Sequence, residues 1–272
     1  MRSSISTFQS IRKSIPAVYN FIEHCPQPLT LSTSTIVQEC SSCEFPPDKQ
    51  LDSQKPLYNT KAAHWKHVLI HSKVRASDWS SRVELMPTEL ISKFGQHKRE
   101  LINPHYPVLI SNVNLKTGVR VSDEESLVLV YPDNKYYRVK ESEVPSFMKE
   151  VLNPADHHHN LNAIPNSNEV VLICGHARRD IRCGLIAPFL ESEFRYNLSA
   201  RGLLYDPETN PTGVKVGLVS HIGGHIYAGN VLYFDENGKA IWYGRVKPEN
   251  VDGIIEETMI KKNIIKELYR GK

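Results

Sequence analysis

Residues 169–174 read EVVLIC. Five consecutive apolar positions, Val170 to Cys174, read as a central strand buried on both faces, the kind that runs through a sheet with helices packed on it. After a loop comes a helical stretch near 185–196, and Val214, Val216 and Leu218 then alternate as in a strand. Asn230–Phe234 (NVLYF) and Ala240–Val246 (AIWYGRV) are two more strands, parted by a turn at Glu236–Lys239. A last helix starts at Pro248, an allowed first-turn position, runs through Ile254, Ile255, Ile264, Ile265 and Leu268, and ends at Gly271.

Upstream, the same order recurs. His67–His71 (HVLIH) is strand-like and a helical stretch lies near 78–95. Pro107–Val113 (PVLISNV), Leu127–Tyr131 (LVLVY) and Tyr136–Val139 read as strands. Glu143–Leu152 puts Val144, Phe147, Met148, Val151 and Leu152 on one helical face. Both stretches run strand, helix, strand, strand, strand, helix. The expectation is an α/β protein of two thioredoxin-like blocks, each a mixed sheet with flanking helices. The first block spans 61–153 and the second 167–272. Residues 154–166, with prolines, asparagines and the run His157–His159, form a linker. Residues 23–60, rich in Ser, Thr, Pro and Gln, form an extended lead-in.

Residues 1–22 hold Arg2, Arg12 and Lys13, five serines and no acid. Ile5, Phe8, Ile11, Ile15 and Val18 can form one stripe on a helix. Basic, serine-rich, acid-free and amphipathic is the pattern of a mitochondrial transit segment, in the matrix or the intermembrane space. The chain carries a net charge of +3, and setting aside these three cations leaves 30 basic against 30 acidic residues. A body without basic surplus argues against a nucleic-acid partner. No apolar run approaches the ~18 residues of a membrane span. Five cysteines in 272 residues are too few for a disulfide scaffold.

Two ligand-type pairs stand just past strand ends in the second block, where sites are commonly built. One is Cys174-GHARRDIR-Cys183 and the other is His221-IGG-His225. Two Cys and two His suit Zn²⁺ or an iron–sulfur cluster. A structural zinc site usually takes its cysteines from a tight knuckle, whereas this loop is long enough to wrap something larger. Gly223 and Gly224 let backbone come close to the ligand and are poor in the helix where a zinc finger keeps its histidines. This favours a [2Fe–2S] cluster with Cys on one iron and His on the other, with zinc as the rival.

CGHARRDIRCG (174–184) followed by SHIGGHIYAGNVLYF (220–234) resembles the sucrase/ferredoxin-like family of thioredoxin-like ferredoxins. The match is strongest over 168–246. The tail also fits, and the first block, with HVLIHS and the SDW around Asp78 and Trp79, agrees more loosely. The resemblance implies a thioredoxin-like ferredoxin domain in the second block. It implies a [2Fe–2S] cluster on Cys174, Cys183, His221 and His225, and a mitochondrial protein of electron transfer or thiol redox balance with a redox protein as partner. Many such ferredoxins use four cysteines, and this chain places histidines at the second pair.

Imidazoles in place of thiolates leave a cluster less negative and easier to reduce, at roughly −150 to +300 mV against about −400 mV for plant-type ferredoxins. Arg178, Arg179 and Arg182 read as a cationic docking rim or as a solvated loop. His176 reads as an exposed loop histidine, Trp79 as packing and Cys25 as an ordinary thiol. Cys40-Ser-Ser-Cys43 is a candidate redox dithiol, though it lies in polar lead-in rather than between a strand and a helix. The alternatives are therefore a thiol–disulfide oxidoreductase working through Cys40 and Cys43, and a zinc-stabilised binding module. No pattern marks a catalytic acid or base.

Overall fold

The computed structural model describes residues 18–26, 45–52, 54–154 and 161–271. In chain order the elements are β1 (Asn20–Ile22), β2 (Lys66–His71), α1 (Leu90–Leu101), β3 (Val108–Leu115), β4 (Glu125–Tyr131), β5 (Lys135–Lys140) and α2 (Val144–Val151). They continue as β6 (Ile164–Pro165), β7 (Val170–Cys174), α3 (Ile181–Ala200), β8 (Lys215–Val219), β9 (Val231–Phe234), β10 (Ala240–Tyr243), α4 (Pro248–Gly253) and β11 (Asn263–Ile265).

The expected order of elements is present in both halves. In the first, β2 pairs parallel to β3 and antiparallel to β4, which pairs with β5. In the second, β7 pairs parallel to β8 and antiparallel to β9, which pairs with β10. The halves join in one mixed sheet of nine strands, ordered β10-β9-β7-β8-β3-β2-β4-β5-β6. The seam is a short antiparallel pairing of Val113–Leu115 with Gly217–Val219. Gly217 permits it, because a Cβ there would strike the carbonyl oxygen of Asn114.

This sheet is folded over on itself. β10 and β2 lie five strands apart, roughly 24 Å in a flat sheet, yet the rings of Trp242 and His67 are 6.4 Å apart. Tyr131 of β4 stacks on Phe234 of β9 at 3.9 Å. The inner faces of the two halves therefore pack on each other, through Leu69, Leu129, Leu172, Leu232 and Trp242. The outer faces carry the helices, α1 and α2 over one half and α3 and α4 over the other. β7 shows why EVVLIC is apolar throughout. Val171 and Ile173 face the helices while Val170, Leu172 and Cys174 face the inner layer.

Four sequence expectations change. The helix placed near 78–95 starts at Leu90, after two short 3₁₀ turns, because Pro87 disfavours helical backbone before it. The last helix stops at Ile260, after a π-helical turn over Ile254–Ile260. Lys262 turns the chain at φ +59°, and β-branched Ile264 and Ile265 enter β11 instead. The end of the linker adds Ile164–Pro165 to the sheet edge, paired with β5. The segment assigned to transit reaches into the fold. Asn20–Ile22 pair parallel with Asn263–Ile265, and the buried Tyr19 donates its hydroxyl to Asp235 Oδ2 at 3.1 Å. The transit reading of residues 1–17 lies outside the described residues.

Candidate metal centre

Cys174 is the last residue of β7, and its side chain points into the inner layer with no exposed area. The chain then turns through 175–179 and enters α3 at Asp180. This side chain caps the helix by accepting from the Arg182 N–H at 3.1 Å. The same carboxylate takes two hydrogen bonds from the Arg182 guanidinium, at 2.8 and 3.0 Å, and these hold it below the usual carboxylate range. Cys183 follows in the first turn of the helix, fully buried.

The second pair hangs from the end of β8. Gly223 and Gly224 both take positive φ, +79° and +80°. At Gly223 a Cβ would meet the Arg270 guanidinium and the Asn230 carboxamide, so this position admits glycine alone. Asn230 donates to the Gly224 carbonyl at 3.1 Å, and buried Arg270 donates to Asn230 Oδ1. Arg270 also holds the Thr60 hydroxyl and carbonyl, both at 3.0 Å. This chain of contacts fixes the loop that presents the histidines.

Cys174, Cys183 and His221 come together, each offering a ligand atom, and these atoms all lie within 4.8 Å of one another. His225 stands beside this trio with its ring 5.8 Å from that of His221, and its Nδ1 lies 3.6 Å from Asp180 Oδ2. Nδ1 of His221 and Nδ1 of His225 are buried atoms without a hydrogen-bond partner among the described residues. A buried polar atom left unpaired is costly, so two such nitrogens beside two buried sulfurs fit a site shaped for a bound metal group. A hydrogen bond from Cys183 holds the Cys174 thiol well below the usual range, while Cys183 is pushed up. Thiolate is the form that binds metal.

His176 is buried rather than exposed. Its Nδ1 accepts from the His221 N–H at 3.1 Å and its Nε2 donates to the Ser80 carbonyl at 2.7 Å. The edge of buried Trp79 packs on it, 5.7 Å between rings. His176 thus ties the histidine loop to the first half of the molecule. Arg182 also departs from expectation. It is buried, clamped by Asp180 and donating to the Gln50 carbonyl at 3.3 Å, so it braces the loop and does not join a docking rim. Arg178 and Arg179 are exposed. A cavity of 380 Å³ opens beside His221, walled by Val83, Ile91 and Lys98 of the first half and Arg179 and Ser220 of the second. Cys25 is a buried thiol pushed up to about 12 by its burial and by Glu267. Cys40 and Cys43, and His157–His159, lie outside the described residues.

The profile of the sucrase/ferredoxin-like family matches residues 57–271, which include both ligand pairs and nearly all of the folded sheet. The chain belongs to the sucrase/ferredoxin-like family. It is 37% identical to the altered inheritance of mitochondria protein 32 of Debaryomyces hansenii, over 92% of this chain and 96% of that protein. It is 38% identical to the protein of the same name from Clavispora lusitaniae, over 92% and 95%. A shorter match, 39% identical over 36% of this chain and 32% of the other, is to the actin patches distal protein 1 of Saccharomyces cerevisiae. No solved structure matches this family member. None of its helices is long and apolar enough to cross a membrane, among the described residues.

Proposed function

We propose that the protein is a mitochondrial electron carrier holding a [2Fe–2S] cluster on Cys174, Cys183, His221 and His225, in the service of thiol redox quality control. The observation that carries this reading is the convergence of two buried sulfurs and His221 within 4.8 Å, with His225 beside them. When bound, such a cluster supplies a one-electron acceptor and donor. The chain's own part is to bind and to shield. Cys174 and Cys183 offer two buried sulfurs. The histidine loop offers Nδ1 of His221 and Nδ1 of His225, both buried. Asp180, Arg182, Asn230 and Arg270 keep the two loops in register.

Zinc is the poorer fit. Tetrahedral bonds of about 2.3 Å would place four ligand atoms within about 3.8 Å of each other, and His225 falls outside the trio. The mitochondrial assignment draws on the acid-free N-terminal segment and on the names of the relatives. The test is iron and acid-labile sulfide per chain on protein purified without oxygen, with the four ligands replaced one at a time. A red-brown protein that loses both elements on each replacement is expected. A colourless, zinc-loaded protein overturns the reading, and loss of electron transfer on replacing Cys40 and Cys43 alone would move the chemistry to that dithiol.

A further inference from the structure

The outward face of α3 is more apolar than its fold requires. Ile186, Leu190, Phe194 and Leu198 pack into the core, as one side of a helix should. Yet Ile181, Leu185 and Tyr196 are exposed by 46, 37 and 58%, and Pro188 is exposed among them. At about 100° per residue these four positions fall within an arc of about 80°. They form one stripe down the solvent side of a helix roughly 30 Å long. Single apolar residues on a surface need no explanation, but Ile181, Leu185 and Pro188 adjoin one another at the head of this stripe, with Ser192 between them and Tyr196, and adjoining apolar residues mark a contact.

Charge identifies what covers it. At the head of the stripe Arg178 and Arg179 are exposed, and their side chains make no hydrogen bond or ion pair among the described residues. Asp180 does not offset them, being neutralised by Arg182. The N-terminal end of the helix dipole adds to the positive field. The acids of α3 are occupied, Glu191 by Arg195 and Glu193 by burial. A second copy would therefore bring two more arginines and no free carboxylate of this helix to meet them.

We propose that the face of α3 from Arg178 to Tyr196 is the docking surface for an acidic electron-transfer protein. Its carboxylates meet Arg178 and Arg179, and its apolar ridge covers Ile181 and Leu185. The inference rests on the reading of the centre given above, since the stripe starts on the turn that carries Cys183. One electron leaves the reduced partner and one arrives here, with no bond made or broken.

An acidic plant-type ferredoxin serves as the probe, in two measurements. Chemical-shift mapping on this protein reads contact whatever its cluster content, and stopped-flow mixing with the reduced ferredoxin reads electron transfer. Shifts along α3 are expected, with binding weakened by salt. The double variant R178E/R179E should bind at least tenfold more weakly and lose the salt dependence, and Leu185→Ser should bind several-fold more weakly. Transfer rates should fall in step while the visible spectrum stays unchanged. Absence of binding at low salt, binding indifferent to these changes, or a dimer of this chain that Leu185→Ser dissociates would overturn the surface. Binding through α3 with no transfer would uphold the surface and count against the centre.

Discussion

His176 shows how a single side chain links the two halves at the site. Its two nitrogens are both used, one by His221 and one by Ser80, which fixes the neutral form with its proton on Nε2. Replacing it with alanine removes the partner of the half-buried Ser80 carbonyl and of the His221 N–H, at a cost of about 0.5–1.5 kcal/mol each. His176→Ala should lower the melting temperature and, on the proposed cluster reading, the iron held per chain, and His176→Gln, which can donate and accept at similar reach, should restore much of both. Equal loss in the two variants would sink the relay. Gly223 and Gly224 offer a second contrast at nearly the same φ. Alanine at Gly224 meets only Tyr227, at 3.8 Å, whereas at Gly223 it collides with Arg270 and Asn230. Gly223→Ala should therefore unfold at clearly lower temperature than Gly224→Ala, which bears only the backbone strain of about 1–2 kcal/mol. The Cys174–Cys183 and His221–His225 pairs could be picked out of the sequence because cysteine and histidine recur there at short spacings, and the structure brings Cys174, Cys183 and His221 together. His176 and Arg270 were not, since their partners Ser80 and Thr60 lie 96 and 210 residues away.

Among elements, the strands were the most legible, because alternating or unbroken apolar runs such as LVLVY and EVVLIC carry their own period. The C-terminal end was not. Ile264 and Ile265 suit a helical face and a strand equally well, and the turn at Lys262 leaves no signature in a lysine. What settles the matter is β1, whose pairing with β11 no local pattern announces. This pairing also makes residues 18–26 part of the fold. Removal of residues 1–26 strips Tyr19 from Asp235 and Cys25 from Glu267, and should lower the melting temperature by several degrees. On the proposed mitochondrial reading, mass spectrometry of protein recovered from mitochondria should find its first residue no later than Val18, since Tyr19 and Asn20–Ile22 belong to the fold.

Across the whole molecule, the inner layer makes the halves interdependent. Phe234→Ala removes the ring on which Tyr131 stacks and should cost about 3–5 kcal/mol. Fluorescence and far-UV signals should then still fall in one transition, at lower denaturant. The layer also confers acid sensitivity. His67 and His71 are held neutral by burial, with pKa values lowered to about 3 and about 4 from 6.5. Above pH 6.5 both states carry neutral rings and stability is full. As pH falls from there toward 4, only the unfolded chain takes up these protons, so stability declines. His67→Phe should flatten this decline by one proton in a denaturation series between pH 7 and 4. The order of strands disclosed two similar halves, yet apolar residues on both faces of β7 say that something covers each face without saying what. The doubling-over of the sheet emerges only from contacts between strands that are remote in the pairing order.

The burial of the two sulfurs, set against a His225 side chain that stays 44% exposed, gives the centre a hard side and a soft side toward chemical attack. Iodoacetamide should leave Cys174 and Cys183 of the native protein unalkylated, while diethyl pyrocarbonate should acylate His225 at once. Poisoning from outside would enter through nitrogen.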